Sequence, residues 1–383
     1  MHRTPSLRPS RSGQIVVLTA ILMVVMMAFL ALSLDVGYMY AVRSQMQRSA
    51  DAAAVASAWE LLDLEHMTLQ PDVTATAQRA RDQASNYAAW NQVTNHSPQL
   101  DNNDVTIGYL SNPSDPYLAI DTQHNGASNA VQVRVRRTEE QNGAVPLFFA
   151  RAIGFQKVAT QTKATAALLS NVGGFVTPSN GDNLSILPFA LDEQTWNGLL
   201  AGGGTDGWKY NSETGAVTAG TDGVKEINLY PQGTGSPGNR GTIDIGGANN
   251  STNDIARQIR EGVSPEDMEA FEDDNRTLVF NAQGKLWLNG DTGISAGVKD
   301  DLLSIKGQPR IIPIFRTVAG NGNNAEYTIV CFAGVRIMEV KLTGKMSDKK
   351  VMIQPAKIVA RGAVPGPATT TSYYIYSPPW LVR

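Results

Sequence analysis

The 383-residue chain carries 32 Lys and Arg against 35 Asp and Glu, a formal net charge of -3, with 42% hydrophobic and 17% charged residues. That balance excludes a disordered or fibrous chain and a general basic field for nucleic acid, and the length accommodates a membrane element with about two soluble domains. A single cysteine, Cys331, and four scattered histidines exclude an intramolecular disulfide and a clustered-cysteine zinc or iron–sulfur site.

The first element is apolar. From Ile15 to Leu34 twenty consecutive residues carry no charge, and Thr19 and Ser33 are the only hydroxyls. A helix of about 20 residues, rising 1.5 Å per residue, spans the ~30 Å hydrocarbon core of a bilayer. The run exceeds the usual secretory apolar region of about 7–15 residues. A retained transmembrane helix is expected, in preference to a signal cut near Ala31-Leu32-Ser33. Arg3, Arg8 and Arg11 precede the span while Arg43 and Arg48 follow it; the positive-inside bias puts the N-terminus in the cytoplasm and the remaining chain outside.

The helix is expected to run past the span's exit at Asp35 and Gly37. Met39, Val42, Met46, Ala50, Ala53, Ser57 and Leu61 recur at spacings of three and four, one face of a helix. Along SADAAAVASA this face narrows to alanine, which favours helix and lets a neighbouring backbone come close. Ala50, Ala53 and Ala54 are the expected packing residues, either on the chain's own domain or against copies of itself and partner subunits.

The combination of Arg11 and Gly13 before the span, ALSLDVG at its exit, YAVRSQMQ after it and the closing SADAAAVASA resembles the N-terminal segment of the Flp pilus-assembly TadE/TadG-like family. The resemblance covers roughly the first 60 residues well and the next hundred more loosely. It implies a bacterial inner-membrane protein of minor-pilin-like or assembly type, with other pilus-assembly or pilin-like subunits as partners. Two departures accompany it. Pilin-like members carry a Glu five residues after a cleaved Gly, and after Gly13, the candidate processing site, that position is Leu18. The Asp-x-Ser-x-Ser metal string of some longer members does not occur.

After the span, QPDVTATAQRARDQASNYAAWNQV has Pro71 and Asp72 as start signals and Val73, Ala77, Ala80, Ala84 and Ala88 on one face, a second alanine-rich helix. DVTIGYL and NAVQVRVRR alternate as half-buried strands, with Arg134 and Arg136 on the solvated side. VPLFFARAIGF reads as a short helix from Pro146 to Gly154, and QKVATQTKATAALL returns to period two. A long helix lying on a small antiparallel sheet buries these faces, which also resembles pilin architecture.

SNVGGFVTPSNGDN marks a boundary near residue 172. Beyond it, short strand-like runs separated by glycine turns predict a β-rich domain, sandwich-like or barrel-like. Its clearest helix is NNSTNDIARQIREGV, with Ser251 or Thr252 as cap and Gly262 at its end; SPEDMEAFE adds a short one. Cys331 lies in the apolar run YTIVCFAGVRIMEV and reads as a buried side chain in a strand.

Two strings are tested as chemistry. GDTGIS, Gly290 to Ser295, matches the aspartic-protease string, but the chain has no second Asp-Thr-Gly to share the proton; a turn between strands is expected. GTGSPG, Gly233 to Gly238, matches G-x-G-x-x-G, but Pro237 interrupts it and no helix pattern follows. Gly202-Gly203-Gly204 reads as a flexible loop.

The expected architecture is thus α+β: a cytoplasmic basic tail (1–14), a transmembrane helix (15–34), a pilin-like α+β domain (35–171) and a β-rich extracytoplasmic domain (172–383). The expected function is a non-enzymatic, cofactor-free structural or assembly component of a Flp/Tad-type pilus or linked secretion apparatus. The alternatives are a membrane-tethered adhesive or carbohydrate-binding protein and an anchored aspartic-type peptidase using Asp291.

Overall fold

The computed structural model describes residues 12–62, 73–113, 115, 117–123, 128–230, 240–246, 251–273, 276–292, 294–320, 324–366 and 371–382. The basic tail up to Arg11, the start signals Pro71 and Asp72, and the Gly233–Gly238 string lie outside these residues.

One helix, α1, runs from Ser12 to Glu60, a rod of about 73 Å at 1.5 Å per residue. No proline interrupts it, and its two apolar-segment hydroxyls bond back to their own helix, Thr19 Oγ1 to the Ile15 carbonyl and Ser33 Oγ to the Phe29 carbonyl, both at 2.8 Å. Polar atoms in the run are therefore satisfied without water. From Ile15 to Val36 nearly every side chain is exposed, among them Met26 at 64% and Phe29 at 67%.

The second half of α1 is covered. Val42, Met46, Ala50, Ala53, Ala54 and Ala58 are fully buried, packed with Ala84 and Ala88 of α2 (Val73–Trp90) and with valines of a sheet. That sheet contains β1 (Val105–Gly108), β2 (Ala130–Arg137) and β3 (Thr160–Ala167), all antiparallel. Alternation places Val131, Val133 and Val135 against α1. In the segment expected as a short helix, Val145–Pro146 instead pairs as a strand with Lys157–Val158, and only Ala150–Ile153 forms a helical turn, closed by Gly154 at φ 97°. The two-residue ladder takes Pro146 out of the helix, since its ring suits an edge strand.

The β-rich part contains β4 (Phe189–Asp192), α3 (Glu193–Leu200), β5 (Gly241–Ile243), α4 (Thr252–Glu261), α5 (Pro265–Asp273), β6 (Leu286–Thr292), α6 (Lys299–Ser304), β7 (Pro309–Ala319), β8 (Ala325–Lys341) and β9 (Lys350–Pro355). Strands β8, β6, β5, β4 and β7 pair in that order, and β7 pairs again with β8, closing a barrel. All contacts in the ring are antiparallel except β4 with β7. Closure removes the unpaired edges that a strand-rich domain would otherwise expose.

The long strand β8 serves two cores. Ala325, Tyr327 and Ile329 join one cluster, whereas Cys331, Ala333, Val335 and Ile337 join the other, with Phe332 back in the first. Opposite this change the β7–β8 register shifts between Ile314 and Phe315. A bulge of this kind re-aims every later side chain.

Helix α4 starts and stops where its caps dictate. Ser251 Oγ accepts from the Asp254 amide at 3.2 Å, and Gly262 at φ 85° ends the helix. The expected helix in SPEDMEAFE is α5, its first turn held by reciprocal bonds between Ser264 and Asp267.

Within the stretch read as a boundary, Val172–Phe175 is buried and pairs with Ala363–Pro365, and the residues from Val176 to Asp182 are mostly exposed. In the triplet read as a flexible loop, the Gly202 and Gly203 amides close the end of α3 by donating to the Leu199 and Gly198 carbonyls, and a Cβ on Gly204 would meet the Glu226 carbonyl at 2.5 Å.

The chain then returns. Strand β10 (Trp380–Leu381) adds antiparallel to β3, so the first sheet takes its fourth strand from the far end of the sequence. Side chains lock the crossing: Ser377 Oγ accepts from the Leu169 amide at 2.8 Å and Ser372 Oγ from the Val172 amide at 2.7 Å.

Candidate anchor and assembly surface

The expected span residues form one exposed apolar cylinder. Ile15 is 65% and Leu34 53% exposed, and α1 is long and apolar enough to cross a membrane. Gly13 lies in the first turn of the same helix.

At the exit, Asp35 differs from its surroundings. It is 3% exposed between Leu34 and Val36, which are 53% and 61% exposed. Its Oδ1 accepts from the Phe148 amide at 2.8 Å, and its Oδ2 from the Phe149 and Ala150 amides at 3.0 and 2.7 Å. These amides open the turn Ala150–Ile153; a carboxylate there meets unpaired donors. Asp35 is therefore a clamp between α1 and a loop over a hundred residues away. The ring of Tyr38 meets Phe148 edge-on at 5.1 Å, tightening the same junction.

Gly37 is exposed on the helix, and a Cβ there would meet nothing within 4 Å. No close approach requires glycine at this position.

Ala50, Ala53 and Ala54 are brought together, but inside the chain's own core. Ser49 Oγ donates to the Ala88 carbonyl at 3.1 Å, which fixes α2 at close range. The side chains proposed for lateral packing against other subunits are thus already covered by α2 and the sheet, because small residues favour the nearest helix of the same chain as readily as a foreign one.

The arginines of β2 are pinned rather than solvated. Arg136 Nε and Arg134 Nε lie 2.7 and 3.2 Å from Asp104 Oδ1, Gln141 Nε2 donates to Asp104 Oδ2 at 2.7 Å, and Asp104 is 1% exposed. Burial pushes the Asp104 carboxyl upward, and the donors Arg136, Gln141, the Asp101 amide and Arg134 outweigh it, so the net direction is down from 3.8. Arg137 turns inward to the Gly143 carbonyl at 2.7 Å and the Thr94 hydroxyl at 2.9 Å. Alternation correctly assigned the valines; only the tertiary fold supplies the acidic turn Asn102–Asp104 that covers the other face.

Asp291, tested as a catalytic residue, lies in β6 opposite Thr242, and Gly290 lies opposite both Ile243 and Ala325. Gly290–Thr292 form the end of a barrel strand, and the string then passes through Gly293, which lies outside the described residues. A Cβ on Gly290 would meet the Thr242 carbonyl at 2.1 Å, so close strand approach explains this glycine.

Two family models match the chain. The Flp pilus-assembly TadE/G-like model matches residues 13–60, and the Tad-like Flp pilus-assembly model matches residues 44–166. No curated protein matches the chain. No solved structure matches it either. The matched residues coincide with α1, α2 and the sheet through β3, while the barrel lies beyond them. Residues 13–166 of this chain are thus similar to Flp pilus-assembly proteins of the TadE/G-like and Tad-like types.

Proposed function

We propose that the chain is a single-span, non-enzymatic assembly component of a Flp/Tad-type pilus or its linked secretion apparatus, with its N-terminus cytoplasmic and the unit around α2 and the barrel outside the inner membrane. The observation that carries this reading is the coincidence of the two family matches with one continuous helix, bare for its first half and domain-packed for its second. Hydrophobic transfer of the bare half holds the protein in the bilayer. The rigid helix then transmits the position of the membrane to the domain it enters. Members of the family serve generally as structural or assembly parts, and the strand setting of Asp291 gives the peptidase alternative no support.

The test is genetic and topological. In the native host, deletion of the gene abolishes Flp pili, the full chain restores them, and a chain whose residues 15–34 are replaced by a cleaved signal peptide does not. Normal piliation in the deletion strain sinks the assembly role. Restoration by the cleaved form sinks the need for an anchor.

A further inference from the structure

We propose that the loop Phe148–Phe155 is a second membrane contact, lying in the lipid interface beside the point where α1 leaves the bilayer. This inference rests on the anchor reading above.

The loop is unusually apolar for an exposed segment. Phe148, Phe149, Ile153 and Phe155 are 57%, 47%, 71% and 63% exposed, while Leu147 just before them is buried. A cluster of large apolar side chains left bare marks a contact surface, unlike single exposed residues.

Its position identifies the occupant. The three amides that hold Asp35 belong to this loop, and Asp35 directly follows the bare apolar run, so the loop's backbone lies within hydrogen-bonding distance of the last turn of the span. Leu34 and Val36, on either side of the clamped Asp35, are themselves exposed, so bare apolar side chains occur on both elements at the junction. An exposed apolar loop tied by hydrogen bonds to the residue where the lipid-facing run ends is matched by lipid. Arg151, exposed within the same turn, supplies a cation at headgroup level, and aromatic rings favour that zone. With helix and loop both in contact, the domain has two attachment points and a fixed tilt.

The experiment uses the full-length protein in vesicles of phosphatidylethanolamine and phosphatidylglycerol. A polarity-sensitive fluorophore is attached to one introduced cysteine at a time: Leu22→Cys, Phe149→Cys, Ile153→Cys or Val73→Cys. Native Cys331 stays in place, since it is buried and burial pushes its thiol pKa up, leaving little thiolate to react. Val73 serves as the distant site: it starts α2, whose Arg79 meets Glu60, twenty-five residues along α1 from Asp35 or about 38 Å. Quenchers are nitroxide lipids labelled deep or shallow in the acyl chain and aqueous iodide.

The expected result is deep quenching at position 22, shallow-lipid quenching with a blue shift at 149 and 153, and iodide quenching alone at 73. Asp35→Asn, which leaves one acceptor oxygen for three amides, should reduce the lipid quenching at 153. Deep quenching at 22 with only iodide quenching at 149 and 153 overturns the second contact and leaves the anchor standing. Protection of 149 and 153 from both lipid and iodide also overturns it, because a protein then covers the loop. Iodide quenching at position 22 removes the anchor and the inference together.

Discussion

Residues 15–34 and 42–58 belong to one unbroken helix, yet Met26 and Phe29 in the first stretch are 64% and 67% exposed while Ala50, Ala53 and Ala54 in the second are fully buried. The difference lies in charge and side-chain size. Large Leu, Met, Val and Phe leave no room for a neighbouring backbone and present area that only a fluid apolar solvent covers. Alanine presents little area but permits close approach, so α2 and β2 cover the second stretch within the chain. Charge separates the two as well, since residues 15–34 carry none while Arg43, Arg48 and Asp51 leave the second stretch apolar on one face only.

Changing the small residues should break that division most sharply. Ala53→Leu adds volume where α2 and the sheet leave none, with an expected loss of about 3 kcal/mol, read from denaturant unfolding of the detergent-solubilised protein. Membrane insertion should be unchanged. The converse substitution, Met26→Arg, should leave that unfolding curve in place and raise the cost of insertion by about 3 kcal/mol, read with a glycosylation-tagged insertion reporter. A variant that shifted both measurements would show the halves to be coupled.

A smaller change tests the sheet that covers the buried half. Asp104→Asn removes a charged acceptor shared by Arg134, Arg136 and Gln141, an expected loss of about 2 kcal/mol. Because the folded carboxyl titrates below its ordinary value of 3.8, its contribution is present above the unfolded pKa and is lost as pH falls through the folded one. The difference between wild type and Asp104→Asn should therefore be constant from neutrality down to about pH 4 and shrink below it, measured by thermal unfolding across pH. A difference that instead shrank on going alkaline would refute the assignment. The smallest effect is at the junction: Gly37→Ala, exposed with open space at its Cβ, should stabilise α1 by about 0.8 kcal/mol, again read by unfolding in detergent. Loss of stability there would reveal a contact that the folded chain by itself does not contain.

Much of the fold was legible because its causes are local. The uncharged run Ile15–Leu34, the stripe from Val42 to Ser57, the alternating valines of β2, and the Ser251 and Gly262 caps of α4 each express a period or a cap readable within one turn or one strand. The misses share a different cause. Pro146 looked like a helix start, and its partner Lys157 lies beyond the turn. Arg134 and Arg136 looked solvated, and the carboxylate that holds them is about thirty residues away. Asp35 was recognisable as the end of an apolar run, but its three amide donors lie 113 to 115 residues on.

The sequence by itself determined that the chain has an apolar helix long enough for a bilayer, that this helix continues as an alanine-faced one, and that strands dominate after residue 172. Those features depend on residue size, charge and period, which each segment carries alone. Only the tertiary structure decided that β8 changes cores midway, since an apolar run such as YTIVCFAGVRIMEV holds no local mark of where its bulge falls. It also decided that Trp380–Leu381 adds the fourth strand to the first sheet and that Asp35 binds the Phe148–Ala150 amides. Each of these needs a hydrogen-bonding partner brought from far along the chain, and such pairing is fixed by the packing of the whole molecule.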